Sequence, residues 1–354
     1  MNIMQSQAPI VYIITYGCKV NYYESEAVAS NLTAMGIKCE MVSDGAVSKL
    51  PTAAAFVINS CAVTSMAEKK SRYGVSKIKR YHPHAQIVTM GCAFGRKTPE
   101  MVALEVANVL SQNSPDNVVN ENSGAIMTDK ARLTGAIVEH QREKAFIKVQ
   151  DGCQNFCTYC IIPYLRNKIE CRPIDDVVQE IRAQKPHVTS VVLCGINLCY
   201  YPDFAALCRA VDACGRAWKI SSLEPPMMTA ELIATLKDCQ NFVPHFHICL
   251  QSGDDQVLHD MNRHYTTKEY AAIIQQLRNA FPRATFGTDL IVGFPTETDT
   301  AFNHTVNFLQ TIKLDKIHIF PYSPRTDTPA AAMPQIQNSI VTERFEKIRQ
   351  LCHG

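Results

Sequence analysis

Two groups of cysteines have the residue types and spacing for metal chemistry. Cys153, Cys157 and Cys160 stand in Asp151-Gly152-Cys153-Gln154-Asn155-Phe156-Cys157-Thr158-Tyr159-Cys160, a CxxxCxxC spacing. Three thiolates on one tight loop can hold three irons of a 4Fe–4S cubane and leave its fourth iron without a protein ligand. Zinc is the alternative for such a loop, but zinc normally closes a tetrahedral set with a fourth ligand. None stands nearby at a familiar spacing. The second group is dispersed. Cys18, Cys61 and Cys92 each end a short apolar run: Ile13-Ile14-Thr15-Tyr16-Gly17-Cys18, Phe56-Val57-Ile58-Asn59-Ser60-Cys61 and Ile87-Val88-Thr89-Met90-Gly91-Cys92. Any one of them reads as a buried cysteine packing as a small hydrophobe. Three at equivalent points of three similar units read as a shared ligand set.

The elements that must position these thiols follow from the pattern around them. Each of the three runs is short, β-branched and unbroken, as expected of parallel strands covered on both faces. Helices are predicted over 21–35, with Asn21 as its cap, and over 65–81. Loops after parallel strands leave an open α/β sheet on one edge, so Cys18, Cys61 and Cys92 are expected to converge there. Residues 115–140 are polar and irregular and read as a connection with edge structure. A second alternation then begins. Strands are predicted at 145–150, 190–194, 219–222, 245–250, 285–291 and 316–320. Helices are predicted at 175–184, 204–214, 229–238, 267–280 and 299–311, with a last one at 342–351. The fold class is therefore α/β: an N-terminal open parallel sheet over 1–135, a partial (β/α)6 barrel over 136–340, and a C-terminal helix within 341–354. Barrels of this kind carry their chemistry at the C-terminal ends of the strands.

Bulk composition sets the compartment and the partners. Of the 354 residues, 46% are hydrophobic and 19% charged, and the net charge is only +2, so any nucleic-acid surface must be local. No apolar run is long enough to span a membrane, and the first residues lack the order of a signal peptide. A cytoplasmic protein is expected, with no membrane partner. Fifteen cysteines in such a chain favour metal or redox chemistry over a disulfide framework. The remaining nine, among them Cys171, Cys194, Cys199, Cys249 and Cys352, read as packing residues.

The loop at 151–160 resembles the radical S-adenosylmethionine (SAM) superfamily. That resemblance implies that the amino and carboxylate groups of SAM chelate the open iron, and that an electron then cleaves SAM to a 5′-deoxyadenosyl radical. It also implies that Tyr159 packs near the adenine of SAM. Taken with the first domain, the likeness narrows. Tyr16-Gly17-Cys18-Lys19-Val20-Asn21, Asn59-Ser60-Cys61-Ala62-Val63-Thr64 and Gly91-Cys92-Ala93 are similar to the three cysteine motifs of the methylthiotransferases. Cys157-Thr158-Tyr159-Cys160-Ile161-Ile162-Pro163-Tyr164 also matches that family. So do Ile220-Ser221-Ser222-Leu223-Glu224-Pro225, Leu250-Gln251-Ser252-Gly253 with Met261-Asn262-Arg263, and Asp289-Leu290-Ile291-Val292-Gly293-Phe294-Pro295. The family implies two 4Fe–4S clusters, the second on Cys18, Cys61 and Cys92 and carrying the sulfur to be inserted. One SAM methylates that sulfur and another gives the radical, so that C–H becomes C–S–CH3. The SAM contacts implied at the strand ends are Gly195, Asn197, Ser222, Glu224, Gln251, Ser252 and Asp289, with the backbone around Val292 and Phe320. Arg166 and Arg172 could bind anionic groups of SAM or substrate, although facing solvent is the commoner fate of an arginine.

The family divides by substrate, and the Gly-Cys-Lys-Val-Asn string with Tyr23-Glu24-Ser25-Glu26 most resembles the threonylcarbamoyladenosine group. The implied product carries a methylthio group on C2 of N6-threonylcarbamoyladenosine beside the anticodon of a tRNA. The implied electron donor is a protein such as flavodoxin or ferredoxin. Asn167 and Thr296 stand where the family motifs usually have glycine. The family also usually continues into a small RNA-binding β-barrel, TRAM, whereas the sequence here ends at Gly354, so a chain lacking that domain is expected. A local basic surface with aromatics is expected around Arg72, Tyr73, Lys77, Lys79, Arg80 and Tyr81. Two other readings stand beside this one: the same chemistry on a peptide or protein side chain, or a non-catalytic iron–sulfur redox sensor or sulfur carrier. The strand-end motifs throughout the barrel argue against the sensor, which needs no SAM pocket.

Overall fold

The computed structural model describes residues 10–112, 140 and 142–353. All but His140 of the polar connection at 115–140 lies outside the described residues. The chain divides into two compact units, Met1–Arg142 with Ala183–Lys185, and Glu143–Arg182 with Pro186–Gly354.

In the first unit, strands β1 (Val11–Thr15), β2 (Cys39–Val42), β3 (Ala55–Ser60) and β4 (Gln86–Gly91) form a parallel sheet in the order β2-β1-β3-β4. Helices α1 (Lys19–Ala34), α2 (Ser65–Tyr81) and α3 (Pro99–Gln112) connect and cover it. Alternating side chains separate onto the two faces, as a pleated strand requires. Val11, Ile13, Val57 and Val88 pack with Val28, Leu32 and Val106 of α1 and α3. Tyr12, Ile14, Phe56 and Ile58 pack on the other face with Ile78 of α2. The edge strand β2 escapes the sequence reading because Cys39-Glu40-Met41-Val42 is short and only half-buried. Helix α1 starts at Lys19, so Asn21 lies inside its first turn instead of capping it. Its side chain reaches back to accept the Cys18 N–H at 3.1 Å, which does part of a cap's work from within the helix.

The second unit is a broken barrel. A short antiparallel pair, β6 (Gln150–Asp151) and β7 (Glu170–Cys171), flanks the CxxxCxxC loop. Around it β5 (Lys144–Lys148), β8 (Ser190–Cys194) and β9 (Ala217–Ile220) form one parallel sheet. Strands β10 (Ser222–Leu223), β11 (His245–Ile248), β12 (Thr285–Val292) and β13 (Lys316–Pro321) form another. The break falls at Ser221, between β9 and β10. The helices are α4 (Ile162–Leu165), α5 (Ile174–Ala183), α6 (Phe204–Asp212), α7 (Ala230–Asp238), α8 (Asp255–Asp260), α9 (Thr267–Ala280), α10 (Asp299–Ile312) and α11 (Asn338–His353). One face of each strand packs on them through Ile147, Leu193, Trp218, Phe246 and Leu290, all completely buried. The opposite parity, including His247, Asp289 and His318, therefore faces the lumen. Helix α11 joins this core through buried Ile348. Its Arg344 donates to the buried Glu297 carboxylate at 2.8 Å. Among the described residues no helix is long and apolar enough to cross a membrane.

Candidate metal centres

The CxxxCxxC loop leaves β6 and is gripped on both sides. The Cys153 N–H donates to the Arg166 carbonyl at 2.9 Å. From the other side, the turn after α8 holds four points of the loop. The Met261 carbonyl accepts the Thr158 N–H, and the Asp260 carbonyl accepts the Thr158 hydroxyl, at 3.1 and 2.8 Å. The Asn262 amide donates to the carbonyls of Asn155 and Phe156 at 3.0 and 3.1 Å. Arg263 then donates directly to the Cys157 sulfur at 3.3 Å. Asn197 donates to the Cys153 sulfur at 3.7 Å, and the Asn155 N–H does so at 3.5 Å.

These contacts suit an iron–sulfur cluster. Sulfur ligands that meet N–H donors and a fixed guanidinium are stabilised as thiolates, and a cluster on three thiolates carries negative charge for Arg263 to offset. Burial pushes the Cys160 thiol up to about 12, so as a lone thiol it is protonated. Metal binding must therefore expel that proton.

The strand-end candidates separate into groups. Asn197 caps the turn at Leu198–Tyr200, as a simple turn former would, and also reaches Cys153. Glu224 pairs with Arg263, so it belongs to the same charged set. Gly195 lies beside this set, where a Cβ would stand 2.9 Å from the Gln150 side chain. Gln251 is buried, has φ of +67° and exchanges backbone hydrogen bonds with Asp289 and Ile291. Ser252 is buried and its hydroxyl accepts from Asp254 within a turn. Ser222 and Phe320 are exposed, and the Val292 carbonyl accepts from Tyr322. Tyr159 is half-buried against the cluster of Met261, Phe294 and Ala330. Asp289 is turned toward His247 and His318.

Arg166 and Arg172 face carboxylates of their own unit. Both are buried, Arg166 against both Asp151 oxygens at 3.0 and 3.1 Å, and Arg172 against Glu180 at 2.6 Å. A basic residue next to a cysteine motif suggests anion binding, and here the carboxylate partners are internal. Arg263 is the functional residue of this loop that its own stretch of sequence does not reveal. Its signal was its place in Met261-Asn262-Arg263, but nothing local says that this turn reaches Cys157.

In the first unit, the loops carrying Cys18, Cys61 and Cys92 all leave the C-terminal edge of the parallel sheet. Buried amides bind them together. Asn21 donates to Asn59 Oδ1 at 3.0 Å and to the Ser60 carbonyl at 3.2 Å, and Asn59 donates back to the Asn21 carbonyl at 2.8 Å. The Cys92 N–H donates to the Ser60 carbonyl at 3.0 Å, and Ser60 Oγ accepts the Ala93 N–H at 3.0 Å. Gly17 and Gly91, each preceding a cysteine, have φ of +118° and +92°. A Cβ on Gly17 would stand 2.9 Å from the Cys61 Cβ, and one on Gly91 would stand 2.4 Å from the Ser60 carbonyl oxygen. Gly91→Ala is therefore expected to destabilise this unit by roughly 2–4 kcal/mol, since a positive φ and an unyielding backbone contact add. Thermal unfolding of the whole chain checks this. A loss under ~0.5 kcal/mol would show that the loop relaxes freely.

A cleft of about 720 Å³ opens at the same edge, beside the end of β1. Lys69, Lys70 and Arg142 line it with Tyr16, Tyr22 and Tyr73. Arg142 lies over the Tyr22 ring at 4.3 Å. Of the basic segment on α2, Arg72 pairs with Glu68 and Lys77 with Asp44, so the cleft's cations differ from those singled out in the sequence.

Residues 147–309 match the radical SAM superfamily, and residues 10–111 match a family described as uncharacterized protein family UPF0004. The threonylcarbamoyladenosine tRNA methylthiotransferase MtaB of Rickettsia prowazekii is 33% identical, over 96% of this chain and 82% of its own length. The tRNA-2-methylthio-N(6)-dimethylallyladenosine synthase of Carboxydothermus hydrogenoformans is 30% identical, over 97% of this chain and 83% of its own. Among solved structures, the radical S-adenosylmethionine methyltransferase TsrM from Kitasatospora setae aligns with a TM-score of 0.64 at 11% identity. It covers 92% of this chain and 77% of TsrM, a likeness of fold.

Proposed function

The chain belongs to the radical SAM tRNA methylthiotransferases, and from that membership we propose that it methylthiolates C2 of N6-threonylcarbamoyladenosine next to the anticodon of a tRNA. The observation that carries this reading is the second three-cysteine set, Cys18, Cys61 and Cys92, on loops tied to one sheet edge. A sulfur-inserting radical SAM enzyme can use such a set to hold the sulfur on a second cluster, apart from the one that generates the radical.

When bound, the group on Cys153, Cys157 and Cys160 with SAM would supply one-electron cleavage and so a route to an unactivated C–H bond. Arg263, Asn197 and the Asn155 N–H hold the loop's sulfurs in place and offset their charge. Asn21, Asn59 and Ser60 fix the loops that would hold the auxiliary cluster. Lys69 and Lys70 offer cations for phosphates, and the exposed Tyr73 offers a face for stacking. That cleft favours RNA over a peptide as substrate. The family likeness also implies an electron donor of the flavodoxin or ferredoxin class.

The test is anaerobic reconstitution with SAM, reductant and tRNA, followed by mass spectrometry of the digested nucleosides. Methylthio-threonylcarbamoyladenosine is the expected product. Product on dimethylallyladenosine alone, or on a peptide alone, would overturn the substrate. Binding should also weaken linearly with log salt, and Lys69→Glu with Lys70→Glu should each reduce that slope by roughly 0.7–0.9. An unchanged slope would remove the cleft from the RNA interface.

A further inference from the structure

Three lumen-facing side chains on adjacent strands of the second unit converge on one another. His247 of β11 places Nε2 3.1 Å from Asp289 Oδ1 of β12, and His318 of β13 places Nδ1 3.3 Å from the same oxygen. The two imidazoles lie 5.2 Å apart, inclined by 34°. All three ligand atoms fall within 4.8 Å of one another. Two donors bonded to one ion at about 2.0–2.2 Å lie roughly 3–3.5 Å apart, so the spacing toward Asp289 is that of neighbours around a shared ion.

The strands are cut to allow this. Asp289 pairs directly with His318, but His247 pairs with Gly287, one lumen-facing position below Asp289. A Cβ at Gly287 would stand 2.9 Å from His247 Nδ1. The missing side chain leaves the lane through which the imidazole leans across to the carboxylate. Cys249 Sγ lies 3.8 Å from the other oxygen, Asp289 Oδ2, and helps fix the carboxylate's orientation. His247, Asp289 and His318 are 12%, 25% and 42% exposed, so an ion can enter from the open side of the barrel.

We propose that His247, Asp289 and His318 bind a divalent first-row transition ion, zinc or ferrous iron, at a site distinct from both cysteine sets. Two imidazoles and one carboxylate suit ions of this class, whereas harder magnesium and calcium sites are built from oxygen donors. On binding, each imidazole gives the ion its unprotonated nitrogen, His247 Nε2 or His318 Nδ1, and carries its one proton on the other ring nitrogen. Three protein ligands leave at least one position for water or a substrate oxygen. The site stands whether or not the substrate is a tRNA.

The test uses the whole chain, purified anaerobically with its iron quantified, then titrated with Zn2+ against a chromophoric chelator and with Co2+ by absorption. One additional ion per chain is expected, with cobalt d–d bands and no thiolate charge-transfer band. His247→Ala and His318→Gln should each weaken binding by at least ~100-fold without changing the cluster iron. Gly287→Val should do the same by displacing the imidazole while leaving all three ligands in the sequence. His318→Gln is mild and half-exposed, so it keeps the test open if His247→Ala fails to fold. An absent extra ion, or binding that survives both His318→Gln and Gly287→Val, would overturn the site. A cobalt–thiolate band in place of the d–d pattern would move the ion to the cysteines and overturn it equally.

Discussion

Cys157→Ala is expected to remove about four of about eight irons per chain and to lower methylthiolated product by at least ~10³-fold, below detection. Cys157 is the most buried thiol of its loop and the one that Arg263 contacts. Without it the loop offers two thiols, and the reductive cleavage of SAM should stop together with product formation. The paired variant Cys61→Ala separates the two sites. It should also remove about four irons and all product, yet leave reductive cleavage of SAM running, because the CxxxCxxC loop is untouched. Iron assay, detection of 5′-deoxyadenosine and nucleoside mass spectrometry read the three effects independently. If Cys61→Ala kept its full iron complement, the auxiliary cluster would be lost from the account, and with it the assignment of sulfur insertion to the first unit.

Asp151→Ala is the second large effect, and it acts on stability. Asp151 is buried and takes Arg166 through both oxygens, Lys148 at 2.6 Å and the Gly152 N–H at 2.8 Å. Removing the carboxylate leaves two cations facing each other in a buried site, which costs about 3–5 kcal/mol for a broken buried pair. The consequence reaches the metal loop, since the Arg166 carbonyl holds the Cys153 N–H. Denaturant unfolding, read on the transition of the second unit, should show the loss, and iron incorporation should fall with it. Asp151→Asn keeps an acceptor for Arg166 and the shape of the site. It should cost less than Ala but still more than ~1 kcal/mol, because it withdraws the charge. A loss under ~1 kcal/mol for Asp151→Ala would mean that solvent enters and screens the two cations.

The same physical logic separates what was legible in the sequence from what was not. The strand-to-cysteine units were legible because a doubly covered parallel strand must be an unbroken apolar run, and such runs end where the polar loop begins. Hence β1, β3 and β4 stop within three residues of Cys18, Cys61 and Cys92. The barrel alternation was legible for the same reason, and α9 is found at the predicted Thr267–Ala280. Partners that meet only through the fold were not legible. Arg166 and Arg172 read as anion binders because their carboxylates, Asp151 and Glu180, carry no local mark of burial.

The sequence by itself determined the chemistry. CxxxCxxC spacing is a local property, and so is a cysteine at the end of an apolar run, because thiol reach and strand length are set by covalent geometry. Only the tertiary structure decided what surrounds each sulfur and which charges stay available. Arg263 meets Cys157 across 106 positions of chain, and His247 meets Asp289 because Gly287 is empty beside it. Such contacts depend on register and on the packing of distant strands, and no single stretch of sequence contains them.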